Sequence, residues 1–258
     1  MSLMRDYETI QVRLQDGVCF LGLHRPEANN TINDRLIEEC GHVLSLCEEQ
    51  ATVVVLEGLP DVFCSGADFG GIHAKLADGV PIENRPEPLY DLWLKLATGP
   101  FVTVAHVRGK VNAGGVGFAA ACDLVLADDK AEFGLSELLF GLFPACVLPF
   151  LIRRTGFQKA HYLALMTRPV PVEEARAVGL VDAYDRQSEA LLRRHLLRLK
   201  KLNKTAVSRY KRYMGELNGA LHTAKPLALA ANEEVFSDPQ NLEKIYRFVE
   251  KGQFPWED

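Results

Sequence analysis

Several features are scarce in this chain, and each scarcity narrows what it can be. The six cysteines, Cys19, Cys40, Cys47, Cys64, Cys122 and Cys146, include no Cys-x-x-Cys pair, and each lies in an apolar stretch. This argues against a disulfide framework or a zinc site and for buried free thiols in a reducing compartment, so no metal is expected. No apolar run is long enough to cross a bilayer and no signal pattern opens the chain. A cytoplasmic protein with no membrane partner is therefore expected. Positive charge is not in excess. Lys and Arg number 29 against 34 Asp and Glu, for a net charge of -5, which gives no general case for a nucleic-acid partner. Acid is locally absent, however. Between Glu189 and Glu216 there is none, while Arg193, Arg194, Arg198, Lys200, Lys201, Lys204, Arg209, Lys211 and Arg212 lie there.

What the chain does have is a pair of glycine-containing segments, each after a short apolar run. Cys64-Ser65-Gly66-Ala67-Asp68 follows Val53–Leu56, and Asn112-Ala113-Gly114-Gly115-Val116-Gly117 follows Val102–Ala105. Small residues after a buried strand let backbone N–H groups approach a ligand. A helix opening at the second segment presents N–H groups with no intrahelical partner. Two such turns brought together form an oxyanion hole. Glycine turns often serve packing alone, so neither segment is decisive by itself.

The rest reads as alternating elements. Val18–Leu23, Val53–Leu56, Val102–Val107 and Leu124–Ala127 read as buried strands. Leu36, Ile37, Cys40, Val43, Leu44 and Cys47 recur at helical spacing, predicting a helix over 34–49 capped by Thr31 or Asn33. Residues 70–88, rich in Gly, Pro and charge, read as a mobile loop, and Trp93, Leu94 and Leu96 as a short helix. Beyond Pro144 helices dominate, ending in one capped by Asp238 with Pro239 in its first turn. The expected class is an α/β core over 1–190 with a helical region over 191–258. No internal repeat stands out in the sequence.

These motifs together carry a resemblance. His24-Arg25-Pro26 with Asn30, Phe63 to Asp68, Ala113-Gly114-Gly115, Ala121 to Ala127, Lys130 to Gly134, Ser136-Glu137, Gly141, Pro144 and Gly179 to Asp182 stand in one order. In that set the chain resembles the crotonase superfamily, the enoyl-CoA hydratases and isomerases, along nearly its whole length. The resemblance implies a spiral of ββα units whose C-terminal helices build a homo-trimer or a dimer of trimers. It implies that the backbone N–H groups of Ala67 and Gly114 hold a thioester oxygen. It also implies that Glu137 is catalytic, and that Arg25, Gly66, Asp68, Phe69, Gly115 and Ala145 line the substrate site. No cofactor is implied beyond the phosphopantetheine of CoA or of an acyl carrier protein.

Two departures from the family pattern matter. Hydratases of the superfamily use two glutamates, and the first position, three residues after Gly114, is here Gly117. Any acid–base cycle must then run on Glu137 with some other group. The glycine run that often follows Pro144 is replaced by Ala145-Cys146-Val147-Leu148-Pro149, predicting a drier pocket that raises the pKa of Glu137. The run from Glu137 to Arg154 is similar to crotonase-like dehydratases encoded with polyketide synthases. These remove water from 3-hydroxy-3-methylglutaryl on an acyl carrier protein during β-methyl branching. That implies an acidic carrier partner, and a cation for the substrate's far carboxylate, with Lys75, Arg85 and His73 as candidates. The basic 193–212 stretch reads either as a solvated helix face, with Leu192, Leu196, Leu199 and Leu202 as its buried stripe, or as the carrier's docking surface. Arg25 is a further candidate for the phosphopantetheine phosphate. The alternatives are a Δ3-Δ2-enoyl-thioester isomerase, which also needs one glutamate, and a non-catalytic scaffold of the same fold.

Overall fold

A computed structural model describes residues 6–72 and 85–257. The strands fall into two sheets by length. The longer strands β1 (Ile10–Gln15), β2 (Val18–Leu23), β3 (Val53–Glu57), β5 (Val102–Val107) and β7 (Leu124–Ala127), with the two-residue β10 (Ala183–Tyr184), form the six-stranded sheet β1-β2-β3-β5-β7-β10. The short strands β4 (Val62–Cys64), β6 (Lys110–Asn112), β8 (Glu132–Gly134) and β9 (Val170–Pro171) form a second sheet in that order. Each successive unit, β3–β4, β5–β6 and β7–β8, adds one parallel strand to each sheet. This is the repeated ββα spiral that the resemblance implied. The sequence hides it because the repeats share geometry rather than residues.

The central strands carry apolar residues on both faces because both faces are covered, with Thr103 and His106 as buried polar exceptions. Val54, Leu56 and Ala105 pack into the main core, while Val53, Val55 and Val104 face a second cluster against Leu191, Leu192 and Leu196 of the helix Ser188–Leu199. The first helix spans Asp34–Gln50, and its cap is Asn33, whose side chain accepts from the Leu36 N–H at 2.9 Å. The expected final helix is Pro239–Lys251, and the Asp238 side chain accepts from the Gln240 N–H. All six cysteines are buried and unpaired. No described helix is long and apolar enough to cross a membrane.

The C-terminal helices pack onto the core. Tyr90 donates from its hydroxyl to the Leu221 carbonyl at 2.7 Å, and Leu221 and Ala228 belong to the main core cluster. The expected leucine stripe is only partly buried. Leu192 and Leu196 are buried, but Leu202 is 45% exposed, because the helix ends at Leu199 and the chain leaves its phase there. Of the loop read as mobile, residues 73–84 lie outside the described residues, and Glu87–Thr98 is the helix that carries Trp93.

Candidate active site

The two glycine segments meet. Ile32 bridges to Ala67: its N–H donates to the Gly66 carbonyl at 2.7 Å and its carbonyl accepts from the Asp68 N–H at 3.1 Å. Alternation along an extended segment then turns the Ala67 N–H to the opposite side. Gly66 adopts φ +89°, and a side chain there would meet Ala113 Cβ at 2.8 Å and lie 3.5 Å from the Gly114 nitrogen. The first turn is thus pressed against the start of the helix Gly114–Ala121, whose opening N–H groups lack intrahelical acceptors. A Cβ on Gly115 would lie 2.5 Å from the Cys64 carbonyl oxygen, so only glycine allows that approach. Ala113, at the helix N-cap, sits at φ 50°, ψ -118°. A non-glycine residue in such a conformation costs on the order of 1–3 kcal/mol, held here by the surrounding bonds. Nothing in the sequence marks Ala113 as strained beyond its place in the motif.

Glu137 is tied to the same turn from the other side. Strand β8 pairs with β6, the Ala113 N–H donates to the Gly134 carbonyl at 2.9 Å, and Asn112 Nδ2 donates to Ser136 Oγ at 3.3 Å. Glu137 opens the 3-10 turn Glu137–Phe140. Burial pushes its carboxyl up to about 7, against a smaller lowering by the backbone N–H groups of Ser136 and Glu137 itself. The residue keeps some contact with solvent, but Oε2 is buried and has no hydrogen-bond partner among the described residues. The segments that adjoin this turn are apolar. Ala145, Cys146 and Val147 are buried. Phe69, Phe140, Leu142 and Phe143 pack with Val235, Phe236 and Ile245 from the C-terminal helices. Phe69 faces Phe236 with ring centroids 6.4 Å apart.

The far end of the glutamate turn is clamped by a residue that motif reading missed. Asn241 is buried and donates from Nδ2 to the Gly141 and Val235 carbonyls, each at 3.1 Å. Its only local signal is a polar residue on the apolar face of an amphipathic helix.

Arg25 and Asp68 are paired with each other. The Arg25 guanidinium donates to the Thr31 carbonyl at 2.7 Å and pairs with Asp68 at 2.9 Å, and Asp68 also accepts from the Gly71 N–H. With those partners the pair braces the first turn. Asn30, fully buried, adds a second brace from the Leu23 carbonyl to the Phe63 carbonyl, at 3.1 Å each. His73 and Lys75 lie outside the described residues. Arg85 is exposed, just ahead of the helix that carries Trp93.

The basic stretch divides by role. Lys204 donates to the Ala51 carbonyl at 2.6 Å, and Lys211 is buried against Asp123. Arg194 pairs with Asp185 and Lys200 with Asp16. Arg193, Arg198, Lys201, Arg209 and Arg212 are exposed with no ion pair among the described residues. One described group has ligand atoms close enough for a metal: Glu57, His106 and Glu189, all within 4.8 Å. Arg13 and Arg108 already pair with the two glutamates, and Ser188 and Glu57 with the imidazole, so positive charge competes for that place.

A sequence profile of the enoyl-CoA hydratase/isomerase family matches residues 13–258. The chain belongs to that family. It is 61% identical over 253 residues to the bacillaene synthase dehydratase PksH of Bacillus subtilis strain 168, covering 98% of each chain. It is 33% identical over 187 residues to the enoyl-CoA hydratase AKT6-1 of Alternaria alternata, covering 72% of this chain and 60% of that one. The crystal structure of a polyketide-biosynthesis enoyl-CoA hydratase from Bacillus subtilis superposes with a TM-score of 0.95 at 60% identity, over 97% of this chain and 100% of that one. An enoyl-CoA hydratase from Mycobacterium avium subsp. paratuberculosis K-10 gives 0.82 at 25% identity, over 94% and 96%. The crotonase-type spiral and an enoyl-CoA hydratase-like, hydro-lyase type of enzyme follow from these matches.

Proposed function

We propose that this enzyme removes water from 3-hydroxy-3-methylglutaryl carried on an acyl carrier protein. The product is the 3-methylglutaconyl thioester, formed during β-methyl branching of a polyketide. The carrying observation is a single buried carboxyl, Glu137, with its pKa near 7, tied to paired N–H turns that suit a thioester oxygen. The 61% identity to a bacillaene synthase dehydratase supports the polyketide setting.

In this reading Ala67 and Gly114 donate to the thioester oxygen and stabilise the enolate. One such donor is typically worth on the order of 100- to 1000-fold in rate. Ionised Glu137 takes the proton from carbon 2. It then returns that proton to the hydroxyl leaving carbon 3, the adjacent atom, so one carboxyl serves both steps. A general acid–base is most effective with a pKa near the working pH, as burial provides here. Exposed Arg193, Arg198 and Lys201 suit an acidic carrier protein. Exposed Phe157, Leu165, Tyr210 and Leu227 on the outer helices suit assembly into a homo-trimer or a dimer of trimers.

The test is mass spectrometry of a carrier protein loaded with 3-hydroxy-3-methylglutaryl. Loss of one water on addition of the enzyme is the expected result. An intact mass, together with double-bond migration in a β,γ-enoyl thioester, would replace this reading with the isomerase.

A further inference from the structure

Gly117 stands where the first glutamate of the hydratase pair would be, and the structure shows what occupies that space. A Cβ built on Gly117 would meet the indole of Trp93, with Cζ2 at 2.6 Å, Cη2 at 2.7 Å and Cε2 at 2.9 Å. The ring therefore covers the point from which that carboxylate side chain would branch. It also reaches the oxyanion turn, since a Cβ on Gly114 would lie 3.7 Å from the same Cζ2. The rings of Phe118 and Phe150 fix its plane, with centroids 5.8 Å away and interplanar angles of 82° and 77°. Trp93 is 1% exposed.

The indole nitrogen is bonded to Cε2 and neighbours the Cζ2 edge that faces Gly114 and Gly117. It is buried and donates to no acceptor among the described residues. A buried N–H without an acceptor is rare in folded proteins and calls for an explanation. Glu137 Oε2 is likewise buried and unpartnered. One is a donor and the other an acceptor. Both are built onto the turn that carries Gly114, Trp93 through Gly114 and Gly117, Glu137 through Ala113, Gly134 and Asn112.

We propose that Trp93 is a catalytic residue whose Nε1–H donates a hydrogen bond to the oxygen on carbon 3 of the acyl thioester as the C3–O bond breaks. This rests on the dehydration reading above. Glu137 takes the carbon 2 proton, and the C–H electron pair moves into the enolate. Those electrons then form the C2–C3 double bond. The C3–O pair leaves with the oxygen, which keeps its own hydrogen, receives the carbon 2 proton from Glu137 and departs as water. Trp93 keeps its own proton throughout and carries only the hydrogen bond. An indole N–H donates but does not accept, so it can hold a substrate oxygen and cannot activate a water as a second carboxylate would.

The test uses the Trp256→Phe background, which leaves Trp93 as the only indole, because the chain has two tryptophans. Thioether analogues of 3-hydroxy-3-methylglutaryl-pantetheine and of its 3-deoxy counterpart are titrated while the indole N–H resonance is followed. The hydroxylated analogue should move that resonance downfield and the deoxy analogue should not. Equal shifts would overturn the proposal. In a second arm, Trp93→Phe should bind the deoxy analogue within about twofold of the parent and lose roughly 10- to 100-fold in dehydration, the worth of a hydrogen bond to an oxygen gaining charge. Unchanged dehydration, or loss of deoxy-analogue binding as well, would reduce Trp93 to a packing residue. A parent enzyme that releases no water would sink the dehydration reading. An indole shift confined to the hydroxylated analogue would then still place Nε1–H on the carbon 3 oxygen.

Discussion

Replacing Glu137 by Gln should inactivate the enzyme and stabilise it, the second effect appearing only at high pH. The carboxyl is raised from 4.5 to about 7 by burial. In the unfolded chain it ionises near its ordinary value, so between those two values the folded state holds a proton that the unfolded state has lost. Stability therefore falls as pH rises through this window. At about 1.4 kcal/mol per unit, the ionised buried carboxylate costs the fold about 3 kcal/mol at pH 8 and less than about 1 kcal/mol at pH 5. Glutamine never ionises and avoids the cost. Glu137→Gln should then raise the midpoint of denaturation at pH 8 by an amount corresponding to about 3 kcal/mol, with little gain at pH 5. The parent's kcat/KM should rise with pH along a one-proton limb centred near 7, because only the carboxylate can take the carbon 2 proton. Urea denaturation of both proteins at the two pH values, with the pH–rate profile, decides the matter. An equal stability difference at pH 5 and pH 8 would refute the buried-charge argument. Near-parental turnover by the glutamine variant would remove Glu137 as the base.

The other predictions concern what surrounds that carboxyl. Gly117→Glu should not yield an efficient crotonyl-CoA hydratase, followed by absorbance, and should cost roughly 1–3 kcal/mol by overpacking, since its Cβ collides with Trp93 at 2.6 Å. A fast and stable variant would show that the indole moves aside freely. Asn241→Ala releases the Gly141 and Val235 carbonyls, so it should lower stability by about 1–3 kcal/mol in urea melts and slow turnover by loosening the Glu137 turn. Unaltered kcat would mean that the turn holds itself. Reversing Arg193, Arg198 and Lys201 to Glu should raise KM for a carrier-protein substrate but not for a short pantetheine substrate. The parent's preference for the carrier should fade with salt, because exposed charges are screened over roughly 10 Å at 0.1 M. Identical behaviour of parent and variant on both substrates would place carrier docking elsewhere.

Much of this molecule is set by rules that act within a few residues. Apolar runs such as Val102–Val107 and Leu124–Ala127 became strands with the expected bounds, and Asn33 and Asp238 cap the helices that follow them. The two glycine turns and Glu137 stood out because their spacing and residue types match a known motif. Other features depend on residues far apart in the chain, and no local pattern encodes them. Asn241 reaches the Gly141 carbonyl across 100 positions, and Arg25 finds Asp68 across 43. Lys204 and Lys211 sit in a run of basic residues yet serve buried bonds to Ala51 and Asp123. Trp93 reads as one more apolar residue on a short helix. That its ring covers Gly117, with its N–H buried and without an acceptor among the described residues, is decided by the packing of one helix across the start of another. Periodicity can say that such a side chain is buried. What it is buried against is a property of the tertiary fold.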